Sequence, residues 1–210
     1  MHRSRPQSAQ EWYDEMAARI HTDGYRTVRW SEWSTWPFRA APGEPHDLQP
    51  LGTERPRHGA DGVDCFMCTA VATDDADYVI WRDEVAMIGQ PHEDIALPFA
   101  AFLMPRRHAD LSDLEPHEAA RMGELMVLLE RAVTDVLDVP RVQFMRWGDG
   151  QEHLHWWAMG RPTGAEQLRG SFLASWDEIL PPRARSDTRS DLDAVARRLV
   201  ELAGGVLPGA

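Results

Sequence analysis

Two imidazoles one residue apart, in His153-Leu154-His155-Trp156-Trp157, are the densest concentration of chemistry in the chain. In an extended strand alternate side chains share a face. His153, His155 and Trp157 then point one way, while Leu154, Trp156 and Ala158 point toward a core. Strand rise spaces the two imidazoles by ~6–7 Å. Near neutral pH an imidazole suits nucleophilic attack and metal ligation alike. Two ordinary histidines on a half-buried strand fit the same pattern, so the pair needs partners.

The partners lie upstream. Cys65-Phe66-Met67-Cys68 holds the only two cysteines, and Pro105-Arg106-Arg107-His108 follows a strongly apolar run. With His153 these residues supply two thiolates and two imidazoles, a composition typical of a closed tetrahedral zinc site. The separations of about forty residues from Cys68 to His108, and about forty-five on to His153, are too long for a small zinc finger. Such a site must staple distant parts of one domain. A thioredoxin-like use of the cysteine pair expects it to open a helix after a strand. Here the turn-rich stretch from Arg55 to Gly62 precedes it, which favours zinc.

The elements that must position these residues read as follows. Ala9 to His21 has Trp12, Met16 and Ile20 four apart, a helical face. Trp30, Trp33 and Trp36 recur at a spacing of three, which suits hydrophobic packing or an aromatic platform for substrate. Residues 40–62 are rich in Pro and Gly and read as an exposed connector. Tyr78–Trp81 and Val85–Ile88 predict two strands around a turn, and Phe99–Met104 predicts a central strand buried on both faces. Pro116 opens a helix whose apolar stripe runs from Met122 to Leu137. Val142–Trp147 predicts the strand before the histidine motif, with a turn at Gly148 to Gly150. Ser171 to Ile179 belongs to the tail. Asp191 to Leu202 predicts a last helix, stopped by Gly204-Gly205 and packed on the sheet or on a partner chain. The expected fold is α+β: an antiparallel sheet with helices on one face. It divides into an N-terminal extension (1–62), a main domain (63–163) and a C-terminal helical extension (164–210).

In this order the motifs resemble those of the histidine-triad superfamily: Cys-x-x-Cys, "hydrophobic-Pro-Arg-Arg-His", a long helix, then His-x-His. The resemblance covers about Asp64 to Pro162 and is to the zinc-bearing branch related to galactose-1-phosphate uridylyltransferase. It implies Cys65, Cys68, His108 and His153 as ligands of a structural zinc, and His155 as a nucleophile that forms a covalent nucleotidyl-histidine. One position departs from the pattern. Trp157 stands where the family carries a third His, or Gln in the uridylyltransferases, and an indole donates one hydrogen bond but accepts no proton. Gln151 and Trp157 would flank His155 at the reacting centre. Candidate donors for the phosphate are Arg146, Arg161, Gln151 and the backbone from Gly148 to Gly150, although a solvated surface role fits either arginine as well. Asp94 falls in the neighbourhood where relatives contact ribose. A nucleotide as small-molecule partner and a homodimer follow from the same resemblance.

Composition narrows the alternatives. At 210 residues with 43% apolar content, the chain suits one sizeable domain with appendages. A net charge of −12 argues against a duplex nucleic-acid partner, though not against a nucleotide in a small pocket. The sequence contains neither Lys nor Asn, so all 22 basic residues are Arg. That removes Schiff-base chemistry, the P-loop lysine and a Cys-His-Asn hydrolase. Without a signal peptide or a ~20-residue apolar span, the expectation is a cytoplasmic protein with no membrane partner. Two functions compete: a phosphoester or phosphoanhydride hydrolase or nucleotidyltransferase acting through His155, and a zinc-stapled nucleotide-binding protein with little or no turnover. A catalytic zinc of the deaminase kind lacks its His-x-Glu and Pro-Cys-x-x-Cys signatures here.

Overall fold

In the computed structural model, residues 5–29, 37–38 and 44–209 are described. Trp30, Trp33 and Trp36 fall outside them. Among the described residues, five α-helices, α1 (Ala9–Asp23), α2 (Phe66–Thr73), α3 (Pro116–Val136), α4 (Leu173–Ile179) and α5 (Arg185–Ala203), surround one sheet. Its strands are β1 (Val79–Arg82), β2 (Ala86–Gly89), β3 (Phe99–Pro105), β4 (Val142–Met145) and β5 (Trp156–Gly160). They lie in the order β1-β2-β3-β5-β4, every neighbour antiparallel. The architecture is α+β.

Alternation along the strands divides the side chains between two layers. Ile80, Ile88, Phe99, Ala101, Leu103 and Ala158 face α3 and α5 and build the main core with Leu125, Leu129, Val195 and Leu199. Their neighbours face the other way, into two smaller clusters. One, beneath α1 and α4, gathers Trp12, Met16, Ala100, Met159 and Leu173. The other, beneath α2, gathers Cys65, Met67, Tyr78, Met87, Phe102 and Met104. The central strand β3 is buried along its whole length, as its unbroken apolar run predicts.

Both extensions hold on to the sheet. Ser8 and Glu11 form a reciprocal capping box at the start of α1. The Trp12 indole N–H then donates to the Ala96 carbonyl at 2.8 Å. From α4, the half-buried Asp177 carboxylate accepts the backbone N–H groups of Ala96 and Leu97. Burial pushes its pKa up against these two bonds. The last helix packs along α3 and against β1, so the tail lies on the sheet's own helical layer.

Two expected strands are shorter than their apolar patterns. Pairing of β4 stops at Met145, where the Arg146 guanidinium turns to Asp110 at 2.5 Å. Pairing of β5 begins only at Trp156. The residues before it bond to the segment that follows β3: the Leu154 N–H donates to the Ala109 carbonyl, and His153 Nε2 lies 2.8 Å from the Pro105 carbonyl. Leu154 still joins the main core, Trp156 packs against it, and Trp157 faces the opposite layer, so the expected alternation persists. Among the described residues no helix is long and apolar enough to cross a membrane.

Candidate functional site

Cys65, Cys68, His108 and His153 converge, their ligand atoms all within 4.8 Å of one another. The local chain explains how. Asp61 and Asp64 adopt left-handed φ values of 54° and 53°, a conformation that Asp tolerates better than most residues. They swing the chain so that Cys65 caps α2 and Cys68 sits in its first turn. The pair does open a helix, but it follows a turn and not a strand. His108 arrives from the end of β3, and His153 from the bend before β5.

Each imidazole is oriented by its outer nitrogen. His153 is fully buried, and the Pro105 carbonyl fixes the proton on Nε2, so Nδ1 carries the lone pair. That Nδ1 lies 3.5 Å from the Cys65 sulfur and 3.6 Å from the Cys68 sulfur. His108 Nδ1 lies 3.4 Å from the Cys68 sulfur, and its Nε2 is 3.3 Å from the Glu152 carboxylate. Tetrahedral zinc with bonds of about 2.3 Å to sulfur and 2.0–2.1 Å to nitrogen sets sulfur and nitrogen about 3.6 Å apart. The spacing, the donor set and the tautomers all fit a structural zinc ion. With four protein ligands, bound zinc supplies a crosslink and presents no open position to a substrate.

A clasp covers this group. The His58 N–H donates to the Gly150 carbonyl, the Glu152 N–H donates to the His58 carbonyl, and the Asp61 N–H donates to the Glu152 carboxylate. The Asp61 amide, with His108 behind it, holds the Glu152 carboxyl below its ordinary range. Arg57 reaches Asp110 at 2.6 Å and the Gly148 carbonyl at 3.1 Å. Arg57, His58 and Glu152 gave no signal in the sequence.

Gly59 lies where the clasp comes closest. Its φ is +72°, and a Cβ there would meet the Gln151 amide at 2.9 Å and the Cys65 Cβ at 3.2 Å. We expect Gly59→Ala to cost about 1–2 kcal/mol from the left-handed backbone alone, with the contact on Cys65 adding to it. A shift of the denaturant midpoint without a change of slope would measure this cost.

The remaining candidates divide by place. His155 is half-buried, its Nδ1 3.0 Å from the His153 carbonyl. Its ring meets Phe102 edge-on at 5.6 Å between centroids, and Trp157 meets the same ring at 4.2 Å. Gln151 sits beside the metal group, its amide nitrogen 3.9 Å from the Cys65 sulfur. Arg146 shares Asp110 with Arg57. Burial tends to raise the Asp110 pKa, but the bond from Arg57, the Leu111 amide and Arg146 bring it below the usual value. The carbonyls of Gly148 and Gly150 are taken by the clasp. Arg161 lies past the far end of β5, six residues and about 20 Å from His155, paired with Glu166. Asp94 is exposed on the loop joining β2 to β3. His155 and Trp157 thus share the Phe102 ring, Gln151 lies against the metal group, Arg146 is tied to Asp110, and Arg161 lies beyond the far end of β5.

No protein-family model matches the sequence, and no curated protein does. Among solved structures, the chain is similar to a hypothetical histidine triad nucleotide-binding protein from Sulfolobus tokodaii. Identity is 14% and the TM-score 0.51, covering 67% of this chain and 97% of that one. That likeness shows a shared fold. A zinc-bound histidine triad family protein from Mycobacterium smegmatis matches at 19% identity and TM-score 0.49, covering 66% of this chain and 94% of that one. A uridylyltransferase matches at 16% identity and TM-score 0.46, covering 68% of this chain and 47% of that one.

Proposed function

We propose that this protein binds a nucleoside phosphate derivative and transfers or hydrolyses its nucleotidyl group through His155. The observation that carries the reading is the 3.0 Å contact between His155 Nδ1 and the His153 carbonyl. A carbonyl only accepts, so the proton resides on Nδ1 and the lone pair on Nε2. His153 is itself held by the metal group and by Pro105, so the nucleophile is aimed through the backbone of a ligand.

Nε2 attacks the α-phosphorus, an N–P bond forms, and the bond to the leaving group breaks with its electron pair passing to that group. Water or a second acceptor then attacks the phosphorus, the N–P electrons return to Nε2, and the acceptor's proton is released. The Trp157 indole neither takes up nor gives up a proton near neutral pH, so the leaving group takes its proton from water. The same tryptophan favours the second reading, a nucleotide-binding protein with little turnover: the indole packs on Phe102 where relatives of the resembled family carry His or Gln.

The test is covalent trapping. Wild-type protein is mixed with adenosine phosphoramidate, a dinucleoside polyphosphate or a nucleotide sugar, then quenched and weighed intact. Gain of one nucleotidyl mass, mapped to His155 and lost on longer incubation, is the expected result. No adduct and no turnover with all three, alongside tight AMP binding, would establish the binding-protein reading instead.

A further inference from the structure

The register between β4 and β5 pairs Val142 with Gly160 and Met145 with Trp157. Met145 and Trp157 face the layer away from α3. Trp147 follows two residues past the end of β4 and keeps to that side: it meets Trp157 at 6.3 Å between centroids and 68° between planes. Trp157 leans on Phe102, and Phe102 on His155.

These rings are not all sealed into a core. Phe102 is nearly buried and Trp157 partly so, while Trp147 is 49% exposed. A half-exposed indole beside a second indole offers an apolar, planar face on which another ring can lie. We propose that Trp147, backed by Trp157, is a stacking ledge for the nucleobase of the substrate whose phosphate meets His155. The proposal rests on the His155 reading and adds what that reading lacks, a contact to the aromatic part of the substrate. A single nucleotide is the fitting occupant. The chain's charge of −12 opposes a longer polyanion, whereas base–aromatic stacking needs no charge and accepts any base.

AMP and ribose 5-phosphate, which share the phosphate and differ by the base, are titrated calorimetrically into wild type, Trp147→Ala and Trp147→Phe. Trp147→Ala is expected to weaken AMP about 5- to 150-fold, the range that stacking on one ring spans. Ribose 5-phosphate should change by less than about twofold, and Trp147→Phe should recover part of the loss. The ledge is overturned if the two ligands weaken together, if AMP is unaffected, or if wild type does not bind AMP. The same titrations on His155→Ala keep the two readings apart. Preference for AMP that still depends on Trp147, with no turnover of any substrate by wild type, removes the nucleophile and leaves the ledge. Turnover that depends on His155, with AMP binding blind to Trp147, removes the ledge alone.

Discussion

Replacing His155 by alanine is expected to lower turnover on the order of 10³- to 10⁶-fold while the protein stays folded and still binds AMP. The size follows from the role. A nucleophile that forms the covalent intermediate has no substitute in its own site, and deletions of such groups in other enzymes fall in this range. The small structural cost follows from the surroundings. The imidazole is half-buried, and it contributes one bond to the His153 carbonyl and one edge contact to Phe102. Losing them should cost about 1 kcal/mol, an ordinary value for a point change. Steady-state rates for the variant, with its unfolding curve and AMP affinity alongside, check the expectation. Retention of a tenth of the activity would show that the phosphoryl group never passes through this nitrogen. A collapse of the fold would show that the residue is structural after all.

Much of the scaffold around that imidazole was legible because it obeys one rule, apolar periodicity. The run Phe99–Met104 and the stripe of α3 bury where the pattern says they should. The start of α5 was not legible for the same reason. Its first inward positions are Thr188, which takes a hydrogen bond from the Gln90 amide at 3.2 Å, and Asp191, which pairs with Arg183. A count of apolar residues passes over both, and so places the helix start at Asp191, where the structure has it at Arg185. The metal group was readable from the one cysteine pair together with the order of the histidine motifs; residue type alone would not have picked His108 and His153 out of nine histidines. The clasp was not. Three of its bonds start from backbone N–H groups, which every residue but proline offers, and nothing in the sequence pairs Arg57 with Asp110 across about fifty residues. Residues 57–62, the end of the stretch that reads as an exposed connector, therefore dock on the site without a sequence signal. Arg161 shows the opposite error. An arginine near a histidine motif in sequence can lie the length of a strand away in space.

Stripping zinc is expected to destabilise the whole domain as well as the site. The ligands come from α2, the end of β3 and the bend before β5, so the ion ties together segments that no other covalent link joins. At a free zinc concentration 1,000 times its Kd, binding adds about 4 kcal/mol to the native state, and a chelator removes it. Cys68→Ala should behave as the chelated protein does, and added zinc should rescue only the wild type. Acidity should act in the same direction. Burial keeps the His153 imidazole neutral down to about pH 4, against 6.5 for a free one. Between those two values the unfolded chain takes up a proton that the native chain refuses. The metal-free protein therefore loses stability as the pH falls from 6.5 toward 4, by about 3 kcal/mol in all. Metal binding adds its own slope. Burial, with Cys65 alongside, pushes the Cys68 thiol up to about 11, so at neutral pH the ion must displace that proton. Affinity should then rise up to about tenfold per pH unit from this thiol alone. Denaturant titrations with and without chelator, run from pH 4 to 8, read both effects. A midpoint that ignores the chelator at every pH would show that the four residues are no staple, and the nucleophile would then lack the anchor that aims it.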